Sequence, residues 1–407
     1  MAQVDLSNEV PMDLDSVSLH SVFLEKIVCN NIIHDVIIFY LTPLEFLRLS
    51  RTCKLVHSIV RSYIKRTFNI NRFLSRFFTD PVSFRALQAR TGTLISGSSA
   101  LQFFDRTFYP KSDLDLYLQP FADREVAEWL FLDGFKFVPN ATQPNDWEDA
   151  IEEATTRLRN WNPMYPSRSI HAVFDFSKPS PHDPKVTLIV QCMVSQTTPI
   201  EIIMLFHSTC VMNVISWEKA YSLYPVATLH ERRSLISVMD KDASGGQAAA
   251  MVKYAERGFE MLRHIIHRMD VVDPSFPTTP RFMGDGMCWT LPLDLGGLAK
   301  HWRVTGELAT PLKHDPVSAT SWQLQYQFKK WLTQNFVKVE YTVIRRDYLH
   351  RAYLTLSDKP IDYAEQTLRR DMEFRRDLKG IQKLDYEFIK YCLEFYRLYA
   401  ERRVRRI

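Results

Sequence analysis

The spacing of apolar residues divides the chain into helical and mixed stretches. Between residues 20 and 90, apolar side chains recur every three or four positions, and Thr42-Pro43 separates two of the helices that this spacing predicts. Between residues 91 and 240, short alternating or wholly apolar runs interleave with helical patterns, which predicts strands and helices in turn. The most regular helical repeat near the end consists of Leu384, Phe388, Tyr391, Cys392, Phe395, Tyr399 and Val404.

These patterns predict an α+β protein with a helical N-terminal module, a mixed sheet and a helical C-terminal region. We expect a mobile acidic tail at 1–19, a helical module at 20–90 and a mixed α/β domain at 91–240. A helix with an irregular, Pro- and Gly-rich region follows at 241–340, and a basic helical region at 341–407.

Composition indicates a folded protein. Of the 407 residues, 46% are hydrophobic, which is enough to form several cores. The apolar runs are much shorter than the roughly 18 to 20 residues that span a bilayer, so we expect no membrane segment. The acidic N-terminus lacks the apolar stretch of a signal peptide, and the six cysteines form no C-x-x-C pair. We therefore expect buried reduced thiols and a location in the cytosol or nucleus.

The net charge of +4 is concentrated near the C-terminus, where residues 341–407 contain 16 Lys and Arg against 11 Asp and Glu. Clustered arginines at 402–406 could attract nucleic-acid phosphates. Arginines at the end of a helix are also stabilised by the helix dipole, with no partner required. Acidic residues spread through the preceding helices favour the second interpretation, so nucleic acid is not the preferred partner.

Residues 94–118 contain the pattern that bears most directly on chemistry. A strand over Asp113 to Leu118 would place Asp113, Asp115 and Tyr117 on one face and the leucines on the other. The Cα atoms of the two aspartates would then lie about 6 to 7 Å apart, close enough for both carboxylates to bind one divalent metal, preferably Mg²⁺. Upstream, Gly97 permits a tight turn, and Ser98 with the following amides can donate hydrogen bonds to phosphate oxygens.

An apolar strand, then Gly-Ser, then Asp-x-Asp resembles the DNA polymerase beta-like nucleotidyltransferase superfamily. The resemblance implies that Asp113 and Asp115 hold Mg²⁺ or Mn²⁺ and that Gly97 and Ser98 cradle a nucleoside triphosphate. It also implies transfer of a nucleotidyl group to an acceptor hydroxyl, with the aspartates as catalytic residues. The resemblance covers about half of the chain and does not explain the residues beyond 270.

The sequence departs from this superfamily at the third carboxylate, which members that catalyse transfer usually have on a later strand. The strand predicted at residues 186–193 contains no acid. Some distant relatives supply the acid from a phrase FD-x-x-C, but here the corresponding aspartate is replaced by His207, which suits Mn²⁺ or Zn²⁺ better than Mg²⁺. Asp175 and, less favoured, Glu201 are substitutes, and loss of the third acid is the leading interpretation.

A helix predicted over Ala248 to Met269 resembles one that follows the catalytic domain in the same relatives. Lys253 and Arg257 lie four residues apart on one face of this helix, where both could bind nucleotide phosphates. In the alternative interpretation, Glu256 neutralises one of them and both are solvated.

Residues 28–70 resemble an F-box, the helical module that binds the Skp-type adaptor of cullin ubiquitin ligases. The resemblance rests on the Leu-Thr-Pro break between two amphipathic helices and on the run LRLSRTCKLVHSIV. It implies that Leu44 and Leu47 contact the adaptor. The Leu-Pro that usually opens an F-box is replaced by the stretch at 31–35, and a helical cap on the next domain is the alternative.

Two functions are consistent with the sequence. The first is that of an intracellular, fungal-type protein of the nucleotidyltransferase fold that binds a metal–nucleotide and transfers a nucleotidyl group to a hydroxyl acceptor. Whether such a protein is an enzyme is left open, because no clear third carboxylate is present. The second is that of a non-enzymatic F-box-like adaptor, in which a degenerate transferase fold recognises a partner.

Overall fold

The computed structural model describes residues 30–110, 112–160, 169–181, 183–237, 245–263, 273–305, 315–329, 334–374 and 384–404. The acidic tail predicted at 1–19 lies outside the described residues, as do the side chains of the arginine cluster at 402–406. None of the described helices is long and apolar enough to cross a lipid bilayer. The chain divides into two compact units, residues 1–68 and residues 69–407.

The described part of the first unit contains three helices: α1 (Asn31–Tyr40), α2 (Pro43–Leu49) and α3 (Lys54–Thr67). The predicted helix restart at Thr42-Pro43 is confirmed, because α2 begins at Pro43 and is capped by a reciprocal interaction between Thr42 and Glu45. The Thr42 N–H donates to the Glu45 carboxylate at 2.7 Å. Phe46 and Tyr63 are buried and pack edge to face, with ring centroids 6.2 Å apart.

The second unit begins earlier than the boundary predicted at residue 90, because it includes two helices before that position. Its described helices are α4 (Ile70–Leu74), α5 (Pro81–Thr91), α6 (Gly97–Asp105), α7 (Asp123–Leu132), α8 (Trp147–Arg159), α9 (Pro199–Met204), α10 (Gly245–Glu256), α11 (Gly296–Thr305), α12 (Lys359–Phe374) and α13 (Asp385–Val404). Its described strands are β1 (Leu94–Ile95), β2 (Leu114–Leu118), β3 (Lys136–Val138), β4 (Ile170–Pro179), β5 (Thr187–Ser195), β6 (Asn213–Ile215), β7 (Lys219–Ser222), β8 (Arg233–Leu235), β9 (Glu260–Leu262), β10 (Arg281–Phe282), β11 (Trp289–Pro292), β12 (Ser321–Lys329), β13 (Gln334–Glu340), β14 (Thr342–Ile344) and β15 (Tyr353–Thr355).

Eight of the described strands form a central mixed sheet in the order β11-β7-β6-β1-β2-β5-β4-β3. All neighbours in this sheet are antiparallel except β2 and β5, which are parallel. The sheet confirms the predicted α+β class. Smaller sheets join β10, β12 and β13, then β14 and β15, and finally β8 and β9, which pair in parallel.

Three expectations for the second half of the chain need correction. The helix predicted over Ala248 to Met269 ends at Glu256, because Gly258 adopts a left-handed φ of +86° and the following residues pair with β8 as strand β9. The region at 241–340 is less irregular than predicted, since it contains the β12–β13 pair. The C-terminal region is not purely helical, because β14 and β15 precede α12.

Two of the hydrophobic clusters among the described residues of the second unit are large. The larger one joins the central sheet to β12, where Tyr117, Tyr221 and Trp322 are buried. The other lies between α12 and α13, and it buries Phe388 and Cys392 of the predicted C-terminal repeat. Burial of apolar area at about 25 cal/mol per Å² is the main favourable contribution of both clusters to folding. Of the described cysteines, three are buried, Cys288 is partly buried and Cys53 is exposed, so the expectation of buried thiols fails at residue 53.

Candidate functional site

The turn between β1 and α6 is built around Gly97. Its φ is +64°, and a Cβ atom at this position would lie 2.6 Å from Oδ2 of Asp115. Only glycine combines this backbone conformation with such a close approach of the carboxylate. Ser96, the preceding residue, donates from its hydroxyl to the carbonyl of Asn213, which joins the turn to β6. The predicted Gly-Ser turn is therefore in direct contact with the Asp-x-Asp motif.

Strand β2 places the two aspartates beside this turn. Asp113 immediately precedes β2 and Asp115 lies within it, and both side chains are partly buried. The leucines at 114, 116 and 118 are fully buried, as the alternation predicted. The Ser98 N–H donates to Asp115, so this amide, predicted to cradle phosphate, is engaged by a carboxylate.

The loop that leads to Asp113 is fastened to α6 by two buried polar residues. The Ser99 hydroxyl donates to the Asp113 carbonyl at 2.8 Å. The Gln102 side chain donates to the Ser112 hydroxyl at 2.9 Å and accepts from the Tyr109 N–H at 2.8 Å. Sequence reasoning did not single out Ser99 or Gln102. Their separation of three residues could have indicated a role for both, because it places two polar side chains on one face of a largely apolar helix.

Three neighbouring strands align polar side chains in one row across the sheet. Gln191 on β5 is in register with Asp115 on one side and with Asp175 on the other. Residues directly opposite each other share a face of the sheet, so these three side chains lie on the same face. The Gln191 amide donates to Oδ1 of Asp175 at 2.9 Å. An uncharged amide therefore stands beside Asp115, and Asp175, the predicted substitute acid, is one strand further away.

Burial and mutual repulsion alter the titration of the aspartate pair. The pKa of Asp115 is raised to about 7, first by burial and then by the charge of Asp113, while Lys253 and the Ser98 N–H oppose the shift. Burial also raises the pKa of Asp113, and the charge of Lys253 again opposes it. Asp175 raises the pKa of both groups slightly further. The aspartate pair therefore binds a proton readily near neutral pH.

Helix α10 brings Lys253 to the aspartates, whereas Arg257 points elsewhere. The charge of Lys253 acts on Asp113 and Asp115, as expected for a residue at the site. The Arg257 guanidinium instead lies over the ring of Tyr109, 3.7 Å from its centroid. Of the predicted pair of basic residues, the structure thus places only Lys253 near both carboxylates.

An arginine links the ends of α6 and α10. Arg232 forms an ion pair with Asp105 at 2.7 Å, and its other terminal nitrogen donates to the carbonyl of Arg257 at 3.1 Å. Asp105 is the last residue of α6, and Arg257 directly follows α10. Arg232 thus joins the C-terminal end of α6 to the residue that follows α10, the helix that contains Lys253.

His207 is not grouped with the aspartates as a metal ligand. Burial and then the charge of Lys253 lower its pKa to about 4, so the imidazole is neutral at physiological pH. Its Nδ1 is 2.7 Å from the Ser208 hydroxyl, and its ring centroid is 5.6 Å from that of Tyr254. Across the described ranges, no three His, Cys, Asp or Glu side chains come close enough to hold a metal ion. Glu201, the less favoured substitute acid, is hydrogen-bonded to Thr197 and Tyr341.

The first unit has a different candidate surface on α1. Its exposed large hydrophobic side chains are Ile32, Ile33, Val36, Ile37, Phe39 and Tyr40, with exposed fractions that reach 74% at Ile32 and 80% at Tyr40. Leu44 and Leu47, the predicted adaptor contacts on α2, are partly exposed. Six exposed apolar side chains on one ten-residue helix are typical of a surface that binds a partner.

Comparison of the chain with known protein families, with curated proteins and with solved structures finds no match. The structure by itself defines an α+β protein with a central mixed sheet. Its candidate site is a pair of aspartates between a left-handed glycine and a lysine.

Proposed function

We propose that the second unit binds a nucleoside triphosphate together with a divalent metal at Gly97, Asp113 and Asp115. The observation that carries the proposal is the packing of Asp115 against left-handed Gly97, together with the repulsion from Asp113 that helps to raise the pKa of Asp115 to about 7. A divalent cation would take the place of the proton that this pair binds, and it would remove the repulsion between the carboxylates.

Asp113 and Asp115 fit a metal ion that is also bound by the phosphates of a nucleotide. Mg²⁺ is commonly held by one or two carboxylates together with substrate phosphates, so the absence of a third protein ligand among the described residues is compatible with such a site. The positive end of the α6 dipole and the Lys253 ammonium would attract the same phosphates. The metal would neutralise phosphate charge and orient the triphosphate.

Nucleotidyl transfer requires an acceptor hydroxyl to lose its proton as it attacks the α-phosphorus and pyrophosphate leaves. Gln191, in register beside Asp115, cannot accept this proton. Asp175 is held by Gln191 one strand further away, about 10 Å from Asp115 between Cα atoms at normal strand spacing. We therefore propose metal-dependent nucleotide binding as the main function and expect only slow transfer.

Isothermal titration with each nucleoside triphosphate, in Mg²⁺, in Mn²⁺ and in EDTA, tests the proposal. We expect binding that requires metal and that weakens at least tenfold in Asp113→Asn and in Asp115→Asn. Asp149→Asn removes an exposed carboxylate on α8 and serves as the matched control. Equal binding in EDTA, or affinity unchanged in both aspartate variants, would contradict the proposal.

The exposed face of α1 favours a second candidate function, binding of a Skp-type adaptor by the first unit. Co-purification with a Skp-type protein should be lost when Leu44 and Leu47 are both replaced by Asp, and when Val36 is replaced by Asp. Circular dichroism would show whether each variant keeps its helices, and Arg61→Met, at an exposed position of α3, would serve as control. Retention of the adaptor by folded variants would argue against this function.

A further inference from the structure

A cleft lies at the end of β2 that is opposite the aspartates. It has a volume of about 510 Å³, and Gln119, which directly follows β2, is part of its lining. At about 3.3 Å per residue, the Cα atom of Gln119 is roughly 20 Å from that of Asp113 and about 13 Å from that of Asp115 along the strand. The cleft and the candidate metal site therefore lie at opposite ends of the same strand.

Arginine dominates the charge of this cleft. Among the described residues, its lining contains four arginines and a single carboxylate, Glu125. Arg90 forms an ion pair with Glu125 at 2.6 Å, and Arg346 forms one with Glu365 at 2.8 Å. Arg345 is an exposed residue that donates to the carbonyl of Gln196 at 3.1 Å. The lining thus carries an excess of positive charge, which attracts anions.

Arg351 is the deepest of these cations. Its Nη2 donates to the Arg90 carbonyl at 3.1 Å, but its Nη1 is buried and makes no hydrogen bond to any described residue. The guanidinium lies against Gly92, where a Cβ atom would be 1.6 Å from Nη1. Burial lowers the pKa of Arg351, so an anionic acceptor here would relieve the cost of desolvation.

The cleft also exposes an aromatic ring on strained backbone. Phe121 is 56% exposed and has a φ of +65°, a left-handed conformation that is rare for a bulky residue. Such strain persists where the surrounding structure maintains it, and it concentrates at ligand sites. The ring is presented to solvent beside the arginines of the same cleft.

We propose that this cleft binds an organic phosphate that carries a ring, such as a nucleoside monophosphate. Arg345 and Arg351 would hold the phosphate, and Phe121 would stack on the ring. The cleft has roughly the size of small-molecule sites, which span about 300 to 1,000 Å³. Binding here needs no metal and is independent of the nucleotide site proposed above.

Isothermal titration of the full-length protein in EDTA, with AMP and with ribose 5-phosphate, tests the proposal. We expect both probes to bind, and Arg345→Met or Arg351→Met to weaken both by roughly tenfold, the effect of one charge-assisted hydrogen bond. Phe121→Ala should weaken AMP binding and leave ribose 5-phosphate binding unchanged. Asp115→Asn and the exposed control Arg61→Met should bind AMP as the wild type does.

Failure of the wild type to bind either probe at millimolar concentration would overturn the proposal. So would equal loss of both probes in Phe121→Ala, or unchanged affinity in folded Arg345→Met. Tighter binding of a single-stranded RNA than of AMP, lost in the same variants, would assign the cleft to nucleic acid instead. Arg351→Met removes a buried side chain, so circular dichroism is needed for this variant, whereas Arg345 is exposed and gives an independent result.

Discussion

Replacement of Asp115 by Asn should stabilise the metal-free protein at alkaline pH. The wild-type carboxylate is partly buried beside Asp113, and both features disfavour its ionised form in the folded state. Asn has nearly the same shape and can still accept the hydrogen bond from the Ser98 N–H, but it carries no charge. The substitution therefore removes the cost of ionisation and leaves the surrounding packing intact.

The magnitude follows from the pKa of Asp115, which rises from 3.8 to about 7 on folding. Well below pH 3.8 the carboxyl is protonated in both states, and the folded protein carries no penalty. As pH rises from 4 to 7, the group ionises in the unfolded chain first, so the wild type loses stability, and the loss is complete above pH 7. At 1.36 kcal/mol for each pKa unit, a rise of about 3 in this pKa corresponds to a loss of about 4 kcal/mol.

Urea unfolding in EDTA at pH 4, 6 and 8 measures this difference. We expect the variant to exceed the wild type by about 4 kcal/mol at pH 8 and by less than about 1 kcal/mol at pH 4. In parallel titrations without EDTA, Mn²⁺ at 100 times its dissociation constant should stabilise the wild type by about 2.7 kcal/mol and have little effect on the variant. A variant less stable than the wild type at pH 8 would refute the assigned burial and repulsion. Asp149→Asn should show no comparable pH dependence.

Three further predictions concern single residues near the two sites. Gln191→Asp places a third carboxylate in register beside Asp115, so we expect pyrophosphate release from nucleoside triphosphate to increase at least tenfold in Mn²⁺. No increase in pyrophosphate release would contradict the assigned register. Gly97→Ala should lower the unfolding free energy by about 1 to 3 kcal/mol in urea titrations and abolish nucleotide binding, because its Cβ would meet Asp115. Phe121→Gly should raise the unfolding free energy by up to about 1 kcal/mol, since release of left-handed strain outweighs the added chain entropy, and a less stable variant would contradict this.

Local patterns predicted the elements that form the aspartate site. The strand, Gly-Ser turn, helix and Asp-x-Asp strand occur in the predicted order, because each is specified by residues within a few positions of itself. The leucines of β2 are buried, as their alternation requires. The β12–β13 pair could also have been predicted, since Trp322 and Leu324 alternate with glutamines as residues of a half-buried strand do.

Long-range pairing was not predictable from one sequence. The position of Gln191 beside Asp115 depends on the register of two parallel strands, and no local pattern specifies that register. Residues 260–262 continue a run that looks helical, but pairing with β8 outweighs this weak local preference. The basic cleft unites Arg90 with arginines near residue 350 only in the folded chain.

The ion pair between Asp105 and Arg232 joins residues that are 127 positions apart in the chain. The aspartates and their turn are contained within residues 96–115, so their contacts can form early during synthesis. Lys253 and Arg232 both follow the aspartates by more than 100 residues in the chain. A nascent chain therefore contains the two carboxylates well before it contains the lysine, so the proposed affinity for a triphosphate would be acquired only late in synthesis.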